Sequence, residues 1–443
     1  MEGARTEPPL AGLSRAIRLC IGGNFLLRLG NSCTGVLMGL LLASLSRSGI
    51  DVPPIVFGLA AASFYLAELL GAPWFGALSD RKGRRLFLVI GPMFGLLAVQ
   101  LIGWPSLALG FPLLLVPIAV GRLTEGLSTA STAPATLSFL SAATTSSTTM
   151  RGRVMAWYEM TTVVGIGGGY VLAGPLWDLL GHAAFLLVTA IYGLSLVAFA
   201  VMRDPHAGHA LDRPHGSPWR VLRRRAVLRF APAWLAVNTI VGAWSTHSSF
   251  QLVAGRHLDQ YLSGGFSATM LGVGFGIFSA AFVIGIFFWG ATLGMRRKTS
   301  TMLITMMGTY VVCGALLAIN HLAQHGPGWR LVFTLCFALG VMVMSGFTPV
   351  ALAHLADISE EIAEERGTVM GLYSVLFGLG QFLGAALGGP FAEFGSIDGL
   401  IALTLILATI SVGTVLFLRR EEARERGERG GLRGPAIADT SAV

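Results

Sequence analysis

Charge is what this sequence has least of. Asp, Glu, Lys and Arg make up 12% of 443 residues while 53% are hydrophobic and the mean hydropathy is +0.69, whereas soluble domains are about one-quarter charged. An ordinary water-soluble globular chain is therefore excluded. Cysteine is sparse too: Cys20, Cys33, Cys313 and Cys336 all fall inside apolar runs, where they act as small hydrophobes, so they supply neither a disulfide framework nor a thiolate metal centre. His206, His209 and His215 lie close together but have no acidic or thiol partner at ligand spacing, so no metal site is expected. Nucleotide-binding loops, metal-ligand motifs and nucleophile constellations are missing, and the Ser/Thr-rich Thr144 to Thr149 reads as a loop, not a phosphate cradle. The reading is not an enzyme, and no cofactor is expected. The net charge of +8 sits in loops between apolar runs, which argues against nucleic acid as a partner. Met1 to Arg18 lacks the apolar region and cleavage site of a signal peptide, so the first apolar run should be retained.

What is present is a succession of apolar runs of about 20 residues. Twelve lie between Leu19 and Leu418, giving an all-α polytopic membrane protein. With both termini inside, 26 of the 31 Lys and Arg residues fall on the cytoplasmic side, against Arg47, Arg256 and Arg330 outside and Arg28 and Arg122 within spans. Only Lys82 and Lys298 are lysines. That arginine-heavy composition suggests a GC-rich bacterial genome, hence a bacterial inner membrane. The long polar interruption around residues 203–229 divides the chain into an N-terminal six-helix half, 1–202, and a C-terminal half, 230–418. Its Arg223-Arg224-Arg225 suits contact with anionic lipid headgroups. A disordered cytoplasmic tail is expected over 419–443, which is rich in Arg and Glu and then in Gly, Pro and Ala.

Between the second and third runs, Pro53 to Leu78 and Leu86 to Trp104, stands Gly76-Ala-Leu-Ser-Asp80-Arg81-Lys82-Gly83-Arg84-Arg85. This loop resembles the signature between helices 2 and 3 of the major facilitator superfamily of secondary transporters. An internal repeat supports that resemblance. At an offset of 215 residues, Arg151 to Pro175 matches Arg366 to Pro390 with ten identities in 25 positions, Gly165, Gly169 and Gly174 falling on Gly380, Gly384 and Gly389. Equivalent helices thus start on the same side of the membrane, so the halves are parallel repeats about an axis along its normal. The second copy of the loop, Gly290 to Lys298, keeps its glycine and cations but has lost the aspartate. The resemblance implies that Asp80 latches the cytoplasmic gate against the end of helix 11 near Arg366 to Met370. Gly174-Pro175 partly resembles the helix 5 element of the antiporter branches.

Charges within spans cost a few kcal/mol or more each, which makes them functional candidates. Here they are Arg28, Glu68, Arg122, Glu125 and Glu159, all in the N-terminal half. Arg122 and Glu125 are one turn apart on one helix face. Arg122-Leu-Thr-Glu125-Gly126 resembles the helix 4 motif of proton-coupled members, with Glu125 in place of glutamine. A carboxylate there can carry a proton, so Glu125 is the first candidate for proton coupling, Glu68 the second and Arg122 the electrostatic partner. The same pair also reads as a structural ion pair. Arg28 supports two roles: pairing with Glu68 or Glu125, or binding an anionic substrate beside Arg122. Asn24, Asn31, Tyr65, Tyr158, Asn238, His247, Tyr373 and Gln381 complete the expected cavity lining.

The function these features imply is alternating-access transport of a small molecule, with efflux of amphipathic compounds by proton antiport as the leading reading. Proton symport of a small organic anion is the alternative, and a non-transporting receptor or assembly protein on the same fold a third.

Overall fold

The computed structural model describes residues 14–144, 148–202, 225–254, 259–292, 297–322, 326–360 and 366–431. The α-helices among them are α1 (Arg15–Arg47), α2 (Pro54–Lys82), α3 (Arg84–Gly103), α4 (Leu115–Ala143), α5 (Thr148–Leu180), α6 (Ala184–Val201), α7 (Arg225–Ala254), α8 (Ala268–Thr292), α9 (Lys298–Leu322), α10 (Pro327–Met344), α11 (Phe347–Glu360) and α12 (Arg366–Gly431). All twelve apolar runs are helical. α10 and α11 form one run broken at Ser345 and Gly346, and α12 joins two runs across Ser396, whose backbone (φ 49°, ψ −123°) is non-helical. The described residues contain no strand, as expected where lipid offers backbone groups no partners.

Eight continuous helical stretches are long and apolar enough to cross a membrane, and two of them, 150–201 and 374–424, hold two runs each. α4 and α7 fall outside that set. They carry Arg122 and Glu125, and Asn238 and His247, all buried among other helices. Large apolar side chains such as Trp74, Leu179, Phe287 and Phe394 are instead strongly exposed, as a lipid-facing surface requires.

Local chemistry sets the helix ends. Ser14 accepts from the Ile17 amide at 3.3 Å, and Pro54 opens α2, where its missing N–H costs nothing. Gly83 separates α2 from α3 at φ 95°, a conformation that disfavours side chains. The cationic loop is therefore a single-residue break between two helices. Of its residues, Arg81 and Lys82 are exposed, Arg84 is buried, and Arg85 donates from Nη2 to the Ala200 carbonyl on α6 at 2.6 Å. Gly76 packs toward Pro134 on α4. The Asp80 side chain and those of Arg366 to Met370 lie outside the described residues, as does the central interruption from 203 to 224.

Within the N-terminal half α1 packs on α5 and α6, and α4 on α2 and α3; in the C-terminal half α7 packs on α12, and α9 on α10 and α12. Glycines set the closest approaches, and they do so twice. A Cβ on Gly165 would sit 2.8 Å from the Phe25 carbonyl oxygen and 3.1 Å from Arg28 Cβ; its repeat partner Gly380 faces the Leu235 carbonyl and Asn238 Cβ. Gly169 faces the Leu29 carbonyl and the Cys33 amide, while Gly384 faces those of Thr239 and Ala243. The register is consistent: α1 maps on α7 at an offset of 210 residues, so Arg28 and Asn238 are equivalent positions.

One expectation needs correction. α12 does not stop at Arg419 but continues to Gly431. Glu421 pairs with Arg229 on α7 at 2.7 Å, and Glu422 accepts from Thr299 Oγ1 on α9 at 3.2 Å. Glu and Arg are good helix formers, so a polar segment extending an existing helix adds turns without a new nucleus.

Candidate transport site and gate

α4 carries the first group of site residues. Arg122 Nη1 meets Glu125 Oε2 one turn along. Glu125 is 0% exposed, and its other oxygen, Oε1, lies 2.9 Å from the Tyr192 hydroxyl on α6. That hydroxyl also lies 2.5 Å from Asn31 Oδ1 on α1, while Asn31 Nδ2 donates to Thr129 Oγ1 on α4 at 2.6 Å. The Phe64 ring of α2 lies 4.6 Å from the Arg122 guanidinium carbon, a cation–π contact. A buried polar knot thus ties α1, α4 and α6 together. The phenol has one proton for two acceptors: if it goes to Asn31, the Glu125 contact becomes a hydrogen bond only when Glu125 is itself protonated.

Sequence reasoning missed Tyr192. Its signal is faint: with Ser195 it is among the few polar side chains in the apolar α6. Gly30 and Gly95 make room for its ring; a Cβ on Gly30 would lie 3.1 Å from it.

The second group is more open. Arg28, Glu68 and Tyr65 are half-buried and Glu159 is exposed. Arg28 reaches the Tyr158 hydroxyl, but among the described residues no carboxylate comes within ion-pair distance of it, and its Nε is a buried donor without a partner. The pairing of Arg28 with Glu68 or Glu125, open in the sequence, is therefore not formed. Arg28 instead lies near both Glu68 and Glu159, and Arg122 near Glu68. From the N-terminal half, Tyr65 and Tyr170 both come to Ser245 on α7 of the other half. The equivalent of Arg28 is the neutral Asn238, buried and donating to the Trp234 carbonyl at 2.8 Å.

The other expected lining residues that are described are buried. Asn24, fully buried, donates to Thr162 Oγ1 on α5 at 2.9 Å, and Asn31 belongs to the polar knot. Both face inward within their half because α1 is covered by α4, α5 and α6, so its polar stripe is wider than the cavity. Gln381 and Tyr158 are buried. The Tyr373 side chain lies outside the described residues. His247 is 0% exposed and sits in the seam between halves.

That seam lies at the face opposite Arg15 and Arg420. Arg47, at the end of α1, donates from Nε to the Val253 carbonyl at 2.9 Å and from Nη2 to that of Phe266 at 2.6 Å. Asp178, at the end of α5, accepts from the Thr269 amide at 2.7 Å. Phe57 of α2 stacks on Phe250 of α7 with centroids 5.0 Å apart. Two glycine contacts close the seam. A Cβ on Gly58 would lie 2.6 Å from the Ala385 carbonyl oxygen, and one on Gly272 would lie 2.6 Å from that of Val171. Gly389 meets Ile55 and Gly174 meets Ala268, so α2·α12 and α5·α8 are the two symmetric copies. The largest apolar cluster, including Leu37, Phe57, Phe250 and Leu271, spans both halves here. One face is sealed, and the charged groups lie on the inner side of the seal.

Two six-helix halves around a central charged site, sealed at one face, define a secondary transporter that moves small molecules through a membrane. The chain belongs to the Major Facilitator Superfamily, whose family model matches residues 20–267 and 258–440. It is similar to an uncharacterized MFS-type transporter of Methanocaldococcus jannaschii, 21% identical over 411 residues and covering 90% of this chain and 96% of that protein. The inner membrane transport protein YajR of Escherichia coli is 26% identical over 82% of this chain and 72% of its own length. The class B tetracycline resistance protein of Escherichia coli is 29% identical over 146 residues, 33% of each chain. Among solved structures the nucleoside transporter NupG superposes with a TM-score of 0.70 at 12% identity, over 92% of this chain and 99% of that one. A bacterial homologue of the iron transporter ferroportin, in an inward-facing state, gives 0.64 at 15% identity, covering 90% and 98%.

Proposed function

We propose that this transporter exports amphipathic small molecules in exchange for protons across a bacterial inner membrane, with both termini cytoplasmic and the sealed face outside. The observation that carries this reading is the set of separated charges, Glu68, Glu159 and Arg28, beside a buried Glu125 knot whose phenol has one proton for two acceptors. Glu68 and Glu159 offer carboxylates to a cationic group entering from the cytoplasm. Glu125 is the proton store and Glu68 the group that exchanges with the cavity, since Glu125 has both oxygens engaged. The local likeness to a tetracycline resistance protein supports efflux. Asp80 serves as the cytoplasmic latch.

Proteoliposome proton flux tests this. Adding lipophilic cations should evoke proton counterflow that is lost in Glu68→Gln and Glu125→Gln; full pH-driven transport in both variants would remove the carboxylates from coupling.

One observation favours a second reading. Arg28 has no carboxylate partner, and an unpaired guanidinium in a cavity suits an organic anion. Anion-evoked proton uptake lost in Arg28→Ala would establish symport instead.

A further inference from the structure

His247 is the buried titratable group that the transport site does not use. Its ring lies on α7 where α2 of the other half meets α12. Nε2 donates to the Ala385 carbonyl at 3.0 Å, which fixes the proton on that nitrogen in a neutral ring. Nδ1 is then a buried acceptor, and it has no partner. The surroundings leave little room: a Cβ on Gly58 of α2 would come within 2.9 Å of the ring, one on Gly388 of α12 within 2.5 Å, and Phe57 meets it edge-on at 5.5 Å.

An orphaned buried acceptor costs about 1–3 kcal/mol, so its presence calls for a reason. Pseudo-symmetry shows that packing does not require it. At the offset that relates α1 to α7, the position equivalent to His247 is Leu37, also fully buried. An aliphatic residue fills the corresponding place in the other half. Charged and titratable groups on the surrounding elements stand five or more residues along the chain from those that touch the ring: Asp51, Tyr65 and Glu68 on either side of Phe57 and Gly58, Glu393 beyond Gly388 on α12, and Arg47 at the end of α1. On α7 itself the nearest in the described part is Arg229. Among the described residues no carboxylate lies within ion-pair distance of the ring in the closed seam, and an unpaired buried charge is expensive.

We infer that His247 is a proton-binding site that controls the gate at the sealed face: the seam closes only over the neutral ring, and a proton taken up when α2 parts from α7 and α12 holds that face open. Opening removes Gly58 and Phe57 from the ring and gives Nδ1 water and a proton. Closure requires that proton to leave. The device needs only alternating access, and is independent of which substrate moves and of the roles proposed for Glu68 and Glu125.

If the closed seam excludes the imidazolium and the open one leaves His near its ordinary value of about 6.5, lowering the pH from 8 to 5 raises the open-to-closed ratio roughly thirty-fold. Spin labels at Leu107→Cys and Phe394→Cys, both exposed and in opposite halves, report the separation in lipid nanodiscs once the four native cysteines are replaced by alanine. The expected result is a shift of population to the longer distance at pH 5 in the otherwise unaltered protein. His247→Gln keeps a donor for Ala385 but takes no proton, and should be indifferent to pH. His247→Leu copies the residue of the symmetric position and should behave alike, which guards against misfolding of one variant. The His321–Asp398 pair, with Nε2 to Oδ2 at 2.7 Å, is the other imidazole near this face among the described residues after His182, so His321→Asn and His182→Gln serve as controls. A response retained in both His247 variants, abolished by either control substitution, or absent from the unaltered protein overturns the proposal.

Discussion

Arg122 and Glu125 show how much depends on a single pair. Removing one partner leaves a charge among apolar helices, a loss of about 3–5 kcal/mol, whereas replacing both by apolar residues of similar volume is often neutral. Arg122→Met and Glu125→Met should each lower the melting temperature in detergent markedly, and the double variant should recover most of the loss. An additive double variant would mean that the pair is not coupled. Tyr192→Phe leaves Asn31 Oδ1 and Glu125 Oε1 without their shared hydroxyl, so a smaller loss of about 1–3 kcal/mol is expected by the same assay. Arg28 differs in kind because it holds no carboxylate. Arg28→Ala should leave the melting temperature within a degree or two while changing substrate-evoked flux.

At the scale of helices, glycines fall into two groups that a sequence does not distinguish. Gly165 and Gly169 press α5 on α1 within one half; Gly58 and Gly272 press helices of opposite halves together. A side chain at Gly169 would strike the α1 backbone, which stays in contact through the whole cycle, so Gly169→Val should reduce the yield of folded protein. A side chain at Gly58 strikes α12 only when the seam is closed. Gly58→Val should therefore fold normally yet favour the open seam, read as a longer distance between labels at Leu107 and Phe394 at neutral pH. Equal yields for the two variants would argue against this division.

For the whole molecule the decisive feature is that contact between the described residues of the two halves concentrates at one face. Arg47 spans that face with two hydrogen bonds to backbone carbonyls of the other half. Hydrogen bonds from a charged donor contribute about 1.5–3 kcal/mol each, and alternating access runs on differences of a few kcal/mol between states. Arg47→Ala should shift the label distribution toward separation by an order of magnitude or more in population. An unchanged distribution would mean that the apolar cluster around Leu37, Phe57 and Phe250 holds the seam by itself.

Sequence alone determined the helical content, the parallel repeat and the family, because each is local or periodic: apolar runs of membrane length, a loop of fixed spacing, and an offset of 215 residues joining Arg151 to Arg366 and Pro175 to Pro390. It also placed Arg122 and Glu125 together, being one turn apart. Partners that converge from separate helices were not legible. Tyr192 completes the Glu125 knot across 67 residues, Arg28 has no carboxylate within ion-pair distance among the described residues, and His247 packs in the seam between the halves. The physical reason is that a residue's face on an isolated helix is known from its spacing, but what that face meets depends on how neighbouring helices cross it. On helices surrounded by others, such as α1, α4 and α7, polar residues point in several directions, and only tertiary packing decides which of them see water, a counter-charge or the other half.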